Sequence, residues 1–308
     1  GAPPLAILGR PFGACLGGYA RKGAVDDARK GVTALEAPMR WNPSPLDDVE
    51  TWPLSMTHLD ASKLGPNTGA WRTEPIRRFL DASDAMIEST QARRTYPGAK
   101  RIPLPAGRSW RMASLWSVLR RRRTVRRFAR RPLDMRLLGL LLGSAAGVTG
   151  ELPVPGTRDL VQRLRAWPSA GAIYPIELYA AILDGSHAGA HHYDPVDSCL
   201  ETLAEGPIRD ALAPSVMTAE EELSAPVVLV LSAVFERTLR KYGERGYRFV
   251  WLDAGHLAQN LILAATALGL ACCPIGGFHE SGVAQAMRLD PRETVVYLIA
   301  VGHAARSL

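Results

Sequence analysis

Residues 120–131 have the sequence RRRRTVRRFARR, in which eight of twelve positions are arginine. Guanidinium groups bind phosphate oxygens through pairs of parallel hydrogen bonds, and the Thr124 hydroxyl adds a further donor. The run passes directly into Phe128 and an amphipathic segment at 133–142, and the basic density stays confined to this one place without aromatic platforms elsewhere. Charge alone would also fit a solvated or nucleic-acid-binding run, but the context favours a site for one local anion and no nucleic acid.

The composition is that of a folded globular protein. With 308 residues, of which 47% are hydrophobic and 22% charged, the chain can bury a large core. No apolar run reaches the eighteen or more residues of a membrane span, and no leader follows Gly1, so we expect a cytoplasmic protein without membrane contact. The net charge of +7 permits an acidic partner.

The cysteines and histidines show no metal-binding pattern. Cys15, Cys199, Cys272 and Cys273 form no CxxC pair and have no histidine at ligand spacing, so we expect core residues or free thiols and no metal. The His191–His192 pair is expected in a turn.

Periodicity and turn residues predict an α+β order of elements. The helix at 248–270 is apolar on nearly every face, which suggests burial in a core or a dimer interface. Residues 147–171, with their glycines and prolines, are expected to form a long loop. The other predicted elements are helices at 114–123, 133–144 and 207–212 and strands at 175–183, 225–235, 271–275 and 295–301.

The N-terminal third differs from the rest in its proline content. Twelve of the 23 prolines precede Gly107, which disfavours long regular elements there. We therefore expect residues 51–110 to wrap over a main domain at 111–308, and residues 1–50 to form an extension whose role the sequence does not indicate.

Two motifs together resemble those of a known family. Residues 122–128 (RRTVRRF) resemble the Arg-Arg-Ser-x-Arg-x-Phe phosphate motif of flavin-binding nitroreductases, and residues 168–175 (PSAGAIYP) resemble their flavin loop. The residues of these motifs are most similar to those of the SagB-type dehydrogenases, which oxidise thiazolines and oxazolines during maturation of azole-containing peptides. The match runs from about Trp52 to the end of the chain. Further matching segments are 58–63, 96–99, 102–105, 192–195, 253–261, 269–270, 274–278 and 301–303.

The resemblance implies a nitroreductase-like fold, with a central, mostly antiparallel sheet flanked by helices, and a homodimer that binds FMN at its interface. Glycine suits the predicted approach of backbone amides to the ring edge near N5, since it has no Cβ. The implied phosphate ligands are Arg122, Arg123, Thr124 and Arg126, with Arg306 as a further candidate. The implied contacts to the rest of the cofactor are Pro168, Ser169, Ala170, Gly171, Gln259, Ile275, Gly276 and Gly277.

The Lys241–Tyr242 pair resembles the proposed catalytic pair of azoline oxidases. Forming an azole from an azoline removes a proton and a hydride from adjacent carbons, so a base must accompany the hydride acceptor. A tyrosine with an ordinary pKa near 10 can serve at neutral pH only if a cation lowers that pKa. We expect Tyr242 to be the base or relay and Lys241 to tune it, or the two roles to be reversed.

The sequence therefore predicts an FMN-dependent oxidase of peptide azolines in natural-product biosynthesis, with dioxygen reoxidising the flavin and a cyclodehydratase as partner. Two alternatives stay open. An NAD(P)H-dependent nitro- or quinone reductase would share the FMN motifs without needing the Lys–Tyr pair. A flavin-less scaffold would only bind the peptide or stabilise a modification complex.

Overall fold

The centre of the molecule is a seven-stranded sheet, accompanied by a separate two-stranded one. The computed structural model describes residues 74–81, 87, 89–90, 93–105, 113–154, 157 and 159–305. In chain order the strands are β1 (Arg101–Pro103), β2 (Val148–Pro153), β3 (Val161–Arg165), β4 (Ile176–Ile182), β5 (Gly189–Asp194), β6 (Cys199–Glu205), β7 (Val227–Ala233), β8 (Ala271–Ile275) and β9 (Thr294–Gly302). The large sheet has the order β1-β6-β5-β4-β7-β9-β8 with every neighbouring pair antiparallel, and β2 pairs with β3.

Some helices begin or end at residues that cap them. Ser114 accepts the Ser117 amide at the start of α2 (Leu115–Arg121), and Asp134 accepts the Arg136 amide at the start of α3 (Met135–Ala146). Helix α7 (Arg245–Ala267), the longest one described, ends before Gly269, which adopts φ +72°. The helices are α1 (Glu74–Asp81), α2 (Leu115–Arg121), α3 (Met135–Ala146), α4 (Arg209–Leu212), α5 (Ala219–Glu222), α6 (Phe235–Tyr242), α7 (Arg245–Ala267) and α8 (Glu280–Met287).

Both faces of the large sheet are covered. All seven residues of β4 and all seven of β7 are buried, which fits their mainly apolar composition, although Glu177 and Ser232 are among them. On one face Leu229 packs in a cluster with Leu141 of α3 and Leu257 of α7. On the other face Val230 packs in a cluster with Met287 of α8. Truncating a fully buried leucine such as Leu229 to alanine is expected to cost about 2–5 kcal/mol of stability.

The strand register brings several loops to one end of the sheet. Ile176 at the start of β4 pairs with Ala233 at the end of β7, which pairs with Thr294 at the start of β9. Strand β8 runs towards this end but stops at Ile275, which pairs with Leu298, four residues into β9. The loop that enters β4 and helix α6 after β7 therefore emerge together.

The α+β class and the flanked antiparallel sheet are confirmed, as are the predicted strands and helices, with ends shifted by a few residues. Two predictions were wrong. Residues 147–171 are not a long loop, because 148–153 and 161–165 pair as a hairpin. His191 and His192 do not lie in a turn but are buried in β5.

The helix predicted at 248–270 is α7, and within one chain it is not buried all round. Its inner face carries Leu257 and Leu261, whereas Trp251 and Leu252 are exposed. Within the described residues, no helix is both long enough and apolar enough to cross a membrane. The predicted division at residues 50 and 110 stays a prediction, and residues 1–73 and Arg306 lie outside the described residues.

Candidate active site

The loop at 168–175 is held in a strained conformation at the mouth of β4. The Ser169 hydroxyl donates a hydrogen bond to Asp253 of α7 and accepts the Tyr174 amide at 2.9 Å. Gly171, with φ +64°, occupies the left-handed region, and the non-glycine residues Ala172 and Tyr174 have φ of 54° and 52°. Such strain persists only where surrounding contacts enforce it, and it often occurs at functional sites.

Gly171 lies directly against the Lys241–Tyr242 pair. A Cβ at position 171 would come within 2.7 Å of both Lys241 Nζ and the Tyr242 hydroxyl oxygen. Gly171 is exposed, so a ligand can reach the place where the two side chains meet. The structure thus brings together, in one chain, the predicted ring-binding loop and the predicted catalytic pair.

The surroundings of the pair are aromatic and poorly hydrated. Lys241 Nζ lies 5.2 Å from the Phe79 ring centroid and 5.3 Å from that of Tyr242. The Tyr242 ring packs edge-on against Phe249 at 5.0 Å between centroids. Such rings favour a cation over their faces but offer little hydration to it.

Burial shifts the two pKa values in opposite directions. It lowers the pKa of Lys241 and raises the pKa of Tyr242, which the negative charge of Asp253 raises further. The expectation that Lys241 lowers the pKa of Tyr242 is therefore wrong for this arrangement. Of the two groups, Lys241 is the one moved towards a useful base at neutral pH.

Asp253 is a site residue that sequence reasoning did not single out. Its side chain is 3% exposed, and burial raises its pKa to about 6 despite hydrogen bonds from the Ser169 hydroxyl and the Ala170 amide. An acidic residue on the apolar face of a long helix was the available signal, since such a group requires partners. Here those partners are the loop residues beside Gly171.

The arginine-rich segment lies along the outer edge of the sheet. Thr124 forms a parallel bridge with Cys272 of β8, and the Val125 amide donates to the Cys272 carbonyl at 3.0 Å. Arg123 donates to the carbonyls of Arg120 and Arg122 at 2.9 and 2.8 Å. This turns Arg123 towards its own backbone.

The remaining cations of this segment fit an anionic ligand. In the part of the chain that the structure describes, no carboxylate forms an ion pair with Arg122, Arg123 or Arg126. The Thr124 side chain is exposed beside them. Unpaired guanidinium groups next to a hydroxyl are the donor set that a phosphate ester such as that of FMN requires.

The other predicted cofactor contacts lie on several elements. A Cβ at Gly276 would meet nothing within 4 Å, so there is open space for a flat ligand, whereas Gly277 packs closely against Met217. Ile275 is buried in β8, and Gln259 is exposed on α7. Pro168 is exposed, Ala170 lies in the turn with Gly171, and Arg306 falls outside the described residues.

The predicted residues thus form two groups. The first contains Ser169, Gly171, Lys241, Tyr242 and Asp253, and the second is the arginine segment with β8. Among the described residues, no hydrogen bond or ion pair joins the arginine segment to the loop at 168–175. The cysteines of β8 are buried free thiols whose pKa burial raises to about 11, which makes them poor nucleophiles.

Comparison with known proteins decides the family. The protein-family model of the nitroreductase family matches residues 119–303 of this chain. The chain belongs to the nitroreductase family. It is 34% identical over 190 residues to MJ1384 of Methanocaldococcus jannaschii, named as a nitroreductase, and the match covers 61% of this chain and 90% of MJ1384.

Two further relatives of this nitroreductase-family chain are named for peptide processing. It is 36% identical over 142 residues to the microcin B17-processing protein McbC of Escherichia coli, and the match covers 44% of this chain and 52% of McbC. It is 31% identical over 173 residues to the trifolitoxin-processing protein TfxB of Rhizobium leguminosarum bv. trifolii, and the match covers 52% of this chain and 44% of TfxB. The chain therefore spans about half the length of these two relatives. The resemblance drawn from the motifs is confirmed.

Solved structures share the fold. A Ralstonia eutropha protein named as a nitroreductase aligns with a TM-score of 0.55 at 25% identity, covering 69% of this chain and 93% of that one. A chain in the E. coli microcin synthetase McbBCD complex with truncated pro-MccB17 bound aligns with a TM-score of 0.52 at 24% identity, covering 82% and 92%.

Proposed function

We propose that this protein is an FMN-dependent oxidase that converts azoline rings in a peptide to azoles. The observation that carries the proposal is the meeting of Lys241 Nζ and the Tyr242 hydroxyl at Gly171 of the flavin loop. Oxidising an azoline needs a proton acceptor beside the hydride acceptor. The half-buried amine of Lys241 at that position meets this need.

The reaction removes one proton and one hydride from two adjacent ring carbons. When bound, FMN supplies the hydride acceptor, and dioxygen afterwards takes the two electrons, leaving as hydrogen peroxide. The proton comes from the carbon next to the imine and the carbonyl. This chain must therefore accept that proton on a side chain that is deprotonated beforehand.

Lys241 is the residue to which we assign the proton. Its lowered pKa gives a larger neutral fraction at pH 7 than an exposed lysine has. The raised pKa of Tyr242 keeps its hydroxyl protonated, so that Tyr242 can donate a hydrogen bond to the substrate or to the lysine amine. Asp253, through Ser169, fixes the loop on which Gly171 presents this pair.

The phosphate of FMN would be held by the second group of residues. Arg122 and Arg126 offer unpaired guanidinium groups, and Thr124 offers an exposed hydroxyl. Gly276 leaves room for a flat ring system near the end of β8. Among the described residues no hydrogen bond or ion pair joins the two groups, and in our proposal a second copy of the chain completes the site.

A peptide substrate and a cyclodehydratase partner follow from the same chemistry. An azoline has to be installed by a cyclising dehydration before it can be oxidised. The names of McbC and TfxB, together with the McbBCD complex that contains a propeptide, support a peptide substrate. The net charge of +7 would favour an acidic segment in that peptide.

The deciding experiment incubates the protein with an azoline-bearing peptide under air and follows the loss of two hydrogens per ring by mass spectrometry. Lys241→Ala should lower turnover by about 10²–10⁴-fold, the usual contribution of a positioned base. Lys241→Arg is the matched control for charge, because arginine keeps the cation but does not deprotonate. Lys241→Arg should be as inactive as Lys241→Ala.

Tyr242→Phe keeps the ring and removes the hydroxyl, so it should lower turnover while flavin absorbance persists. An active Lys241→Arg would reverse the two roles and make Tyr242 the base. If the lysine and tyrosine variants all retained flavin and full turnover, the oxidase mechanism would be wrong.

The second candidate is an NAD(P)H-dependent nitroreductase, which the name of MJ1384 favours. Flavin bleaching by NAD(P)H, followed by turnover of a nitroaromatic that is insensitive to Lys241→Ala, would support it. A protein that shows no flavin absorbance and takes up no added FMN would instead be a scaffold.

A further inference from the structure

Arg237 ties together the two elements that meet at the candidate site. It lies on α6, one helical turn before Lys241, and its side chain is only 13% exposed. Its Nη1 donates to the Tyr174 carbonyl in the loop at 168–175 at 3.2 Å, and its Nη2 lies 2.6 Å from Glu177 Oε1 on β4. One guanidinium group therefore joins helix, loop and strand.

Glu177 is a fixed anchor for this guanidinium group. It is 1% exposed, and its Oε1 also accepts the Arg94 amide at 2.9 Å. Burial alone would raise the pKa of Glu177, but the charges of Arg237 and His192 outweigh burial and hold it well below its usual range. Arg237 thus faces a carboxylate that stays ionised.

His192 extends the anchor into the sheet. Its two ring nitrogens lie 3.3 Å from Glu177 Oε2 and 2.9 Å from Glu201 Oε2. Burial would lower the pKa of His192, but the hydrogen bonds to Glu177 and Glu201 raise it to about 9, so the imidazole is charged at neutral pH. Arg101 pairs with Glu201 at 3.2 Å, which gives a row of alternating charges ending at Arg237.

Such a buried row is not explained by stability alone. Removing charges from water is costly, and apolar side chains of similar volume would often stabilise a fold equally well. Helix α6, by contrast, needs anchoring. It has eight residues and no side-chain cap at its start, and a helix this short is marginal without tertiary contacts.

Aromatic contacts join α6 to α7. Phe235 at the start of α6 stacks on Tyr247 with 5.2 Å between ring centroids, and Tyr242 at its end packs edge-on against Phe249 at 5.0 Å. These contacts hold α6 to α7 and have no fixed hydrogen-bond direction. The two hydrogen-bonded directions of the Arg237 fork add a directional connection from α6 to the loop at 168–175 and to β4.

We propose that Arg237 is a positioning residue for the reaction, holding α6 against the loop at 168–175 so that Lys241 and Tyr242 stay at Gly171. The inference rests on the proposed function in that it treats Lys241 as the base. Reacting groups tolerate little displacement, and a shift of about 1 Å can lower turnover by roughly a hundredfold.

The test compares Arg237→Gln and Arg237→Lys with wild type, using Arg209→Gln as a matched control. Arg209 forms an equally close pair, 2.7 Å from Asp184, but beyond the opposite end of β4. For each purified flavoprotein, kcat and KM for the azoline peptide, flavin absorbance per chain and melting temperature are measured. The pKa of Lys241 is obtained from the pH dependence of its acetylation by acetic anhydride.

Arg237→Gln should keep flavin and KM but lose roughly tenfold to a hundredfold in kcat, and the pKa of Lys241 should rise towards its ordinary value of 10.5. Arg237→Lys keeps one charge but cannot hold both partners with a planar fork, so its kcat should be intermediate. If Arg237→Gln does not fold, Arg237→Lys carries the test. Arg209→Gln should match wild type in kcat.

Two results would overturn the proposal. One is wild-type kcat together with an unchanged Lys241 pKa in the Arg237 variants. The other is a fall of kcat and flavin content in the same proportion, which indicates a structural role only. Should the wild-type protein fail to oxidise azolines, the proposed function fails by itself, while the acetylation measurement still decides whether Arg237 positions Lys241.

Discussion

Asp253 shows how a single buried carboxylate can hold a functional loop. It accepts hydrogen bonds from the Ser169 hydroxyl and the Ala170 amide, yet its own burial disfavours the ionised form and raises its pKa to about 6. The residue therefore positions the loop at a cost in stability that depends on pH. The sequence presented Asp253 only as one letter of a helix motif, because its partners are 83 and 84 positions away in the chain.

The sign of this dependence follows from the raised pKa. The pKa of this carboxyl is 3.8 in the unfolded chain and about 6 in the folded protein. The contribution of Asp253 to stability is therefore fully present below pH 3.8 and is lost as the pH rises through about 6. Asp253→Asn removes the titration, so between pH 4.5 and 7.5 the variant should gain about 2 kcal/mol of stability relative to wild type. Urea unfolding at the two pH values measures this difference.

The matched control is Asp134→Asn, the same substitution at an exposed helix start, where asparagine caps as well as aspartate does. An Asp253→Asn variant whose stability relative to wild type is the same at both pH values, or falls with rising pH, would show that the carboxyl is not disfavoured in its site.

At the scale of elements, the loop at 168–175 and the end of α7 both depend on a left-handed glycine, but for different reasons. Gly269 has φ +72° with open space where a Cβ would go, whereas Gly171 has φ +64° with Lys241 and Tyr242 in that space. Replacing either glycine with alanine should therefore cost a similar backbone strain. Only at Gly171 should the added methyl group lower the rate of the proposed reaction.

Gly171→Ala and Gly269→Ala should each lower the free energy of unfolding by about 1 kcal/mol, the cost of a left-handed alanine. The ends of Lys241 and Tyr242 can move away from a new methyl group at little cost to folding. Gly171→Ala should nevertheless lose roughly a hundredfold in kcat, because the catalytic atoms are displaced, whereas Gly269→Ala keeps its kcat. Denaturant unfolding and turnover of the azoline peptide measure both effects, and equal kcat values for the two variants would contradict the placement of the pair.

The elements that sequence patterns predicted are those whose burial follows from apolar side chains. Strands β4 and β7 are mainly apolar, and helix α7 carries its buried residues at helical spacing, so periodicity predicts all three. Strand β5 contains His191 and His192, which are buried because side chains of β6 hydrogen-bond their rings: the Thr202 hydroxyl donates to His191, and Glu201 accepts from His192. Local composition does not reveal such partners, so the sequence of β5 predicted a turn at His191 and His192 where the fold has a strand.

The site was predictable to a similar degree. The arginine segment, the flavin loop and the Lys–Tyr pair are local motifs, and the structure brings the last two together at Gly171. Asp253 and Arg237 act through tertiary contacts, which no local pattern encodes. The direction of the Tyr242 pKa shift was likewise set by burial, which depends on the assembled fold.

At the scale of the molecule, exposed apolar side chains offer a surface for the second copy that the proposed function requires. Trp116 on α2 is 70% exposed and Leu252 on α7 is 55% exposed, and the two helices contact each other. Apolar surface of this kind on neighbouring helices is typical of an interface. It also borders Arg122, which follows α2 directly, so an interface here would bring a second chain next to the proposed phosphate site.

Trp116→Glu combined with Leu252→Glu should therefore convert a dimer to a monomer and release flavin at the same time. Buried charges at an interface are costly, and a cofactor held by two chains is lost when they separate. Light scattering after size-exclusion chromatography gives the mass, and absorbance near the flavin band gives the cofactor content. The matched control is Leu152→Glu on β2, which is 47% exposed and should change neither quantity. A monomeric variant that keeps full flavin would mean that one chain suffices to bind the cofactor, and a dimeric variant would mean that the two copies meet through another surface.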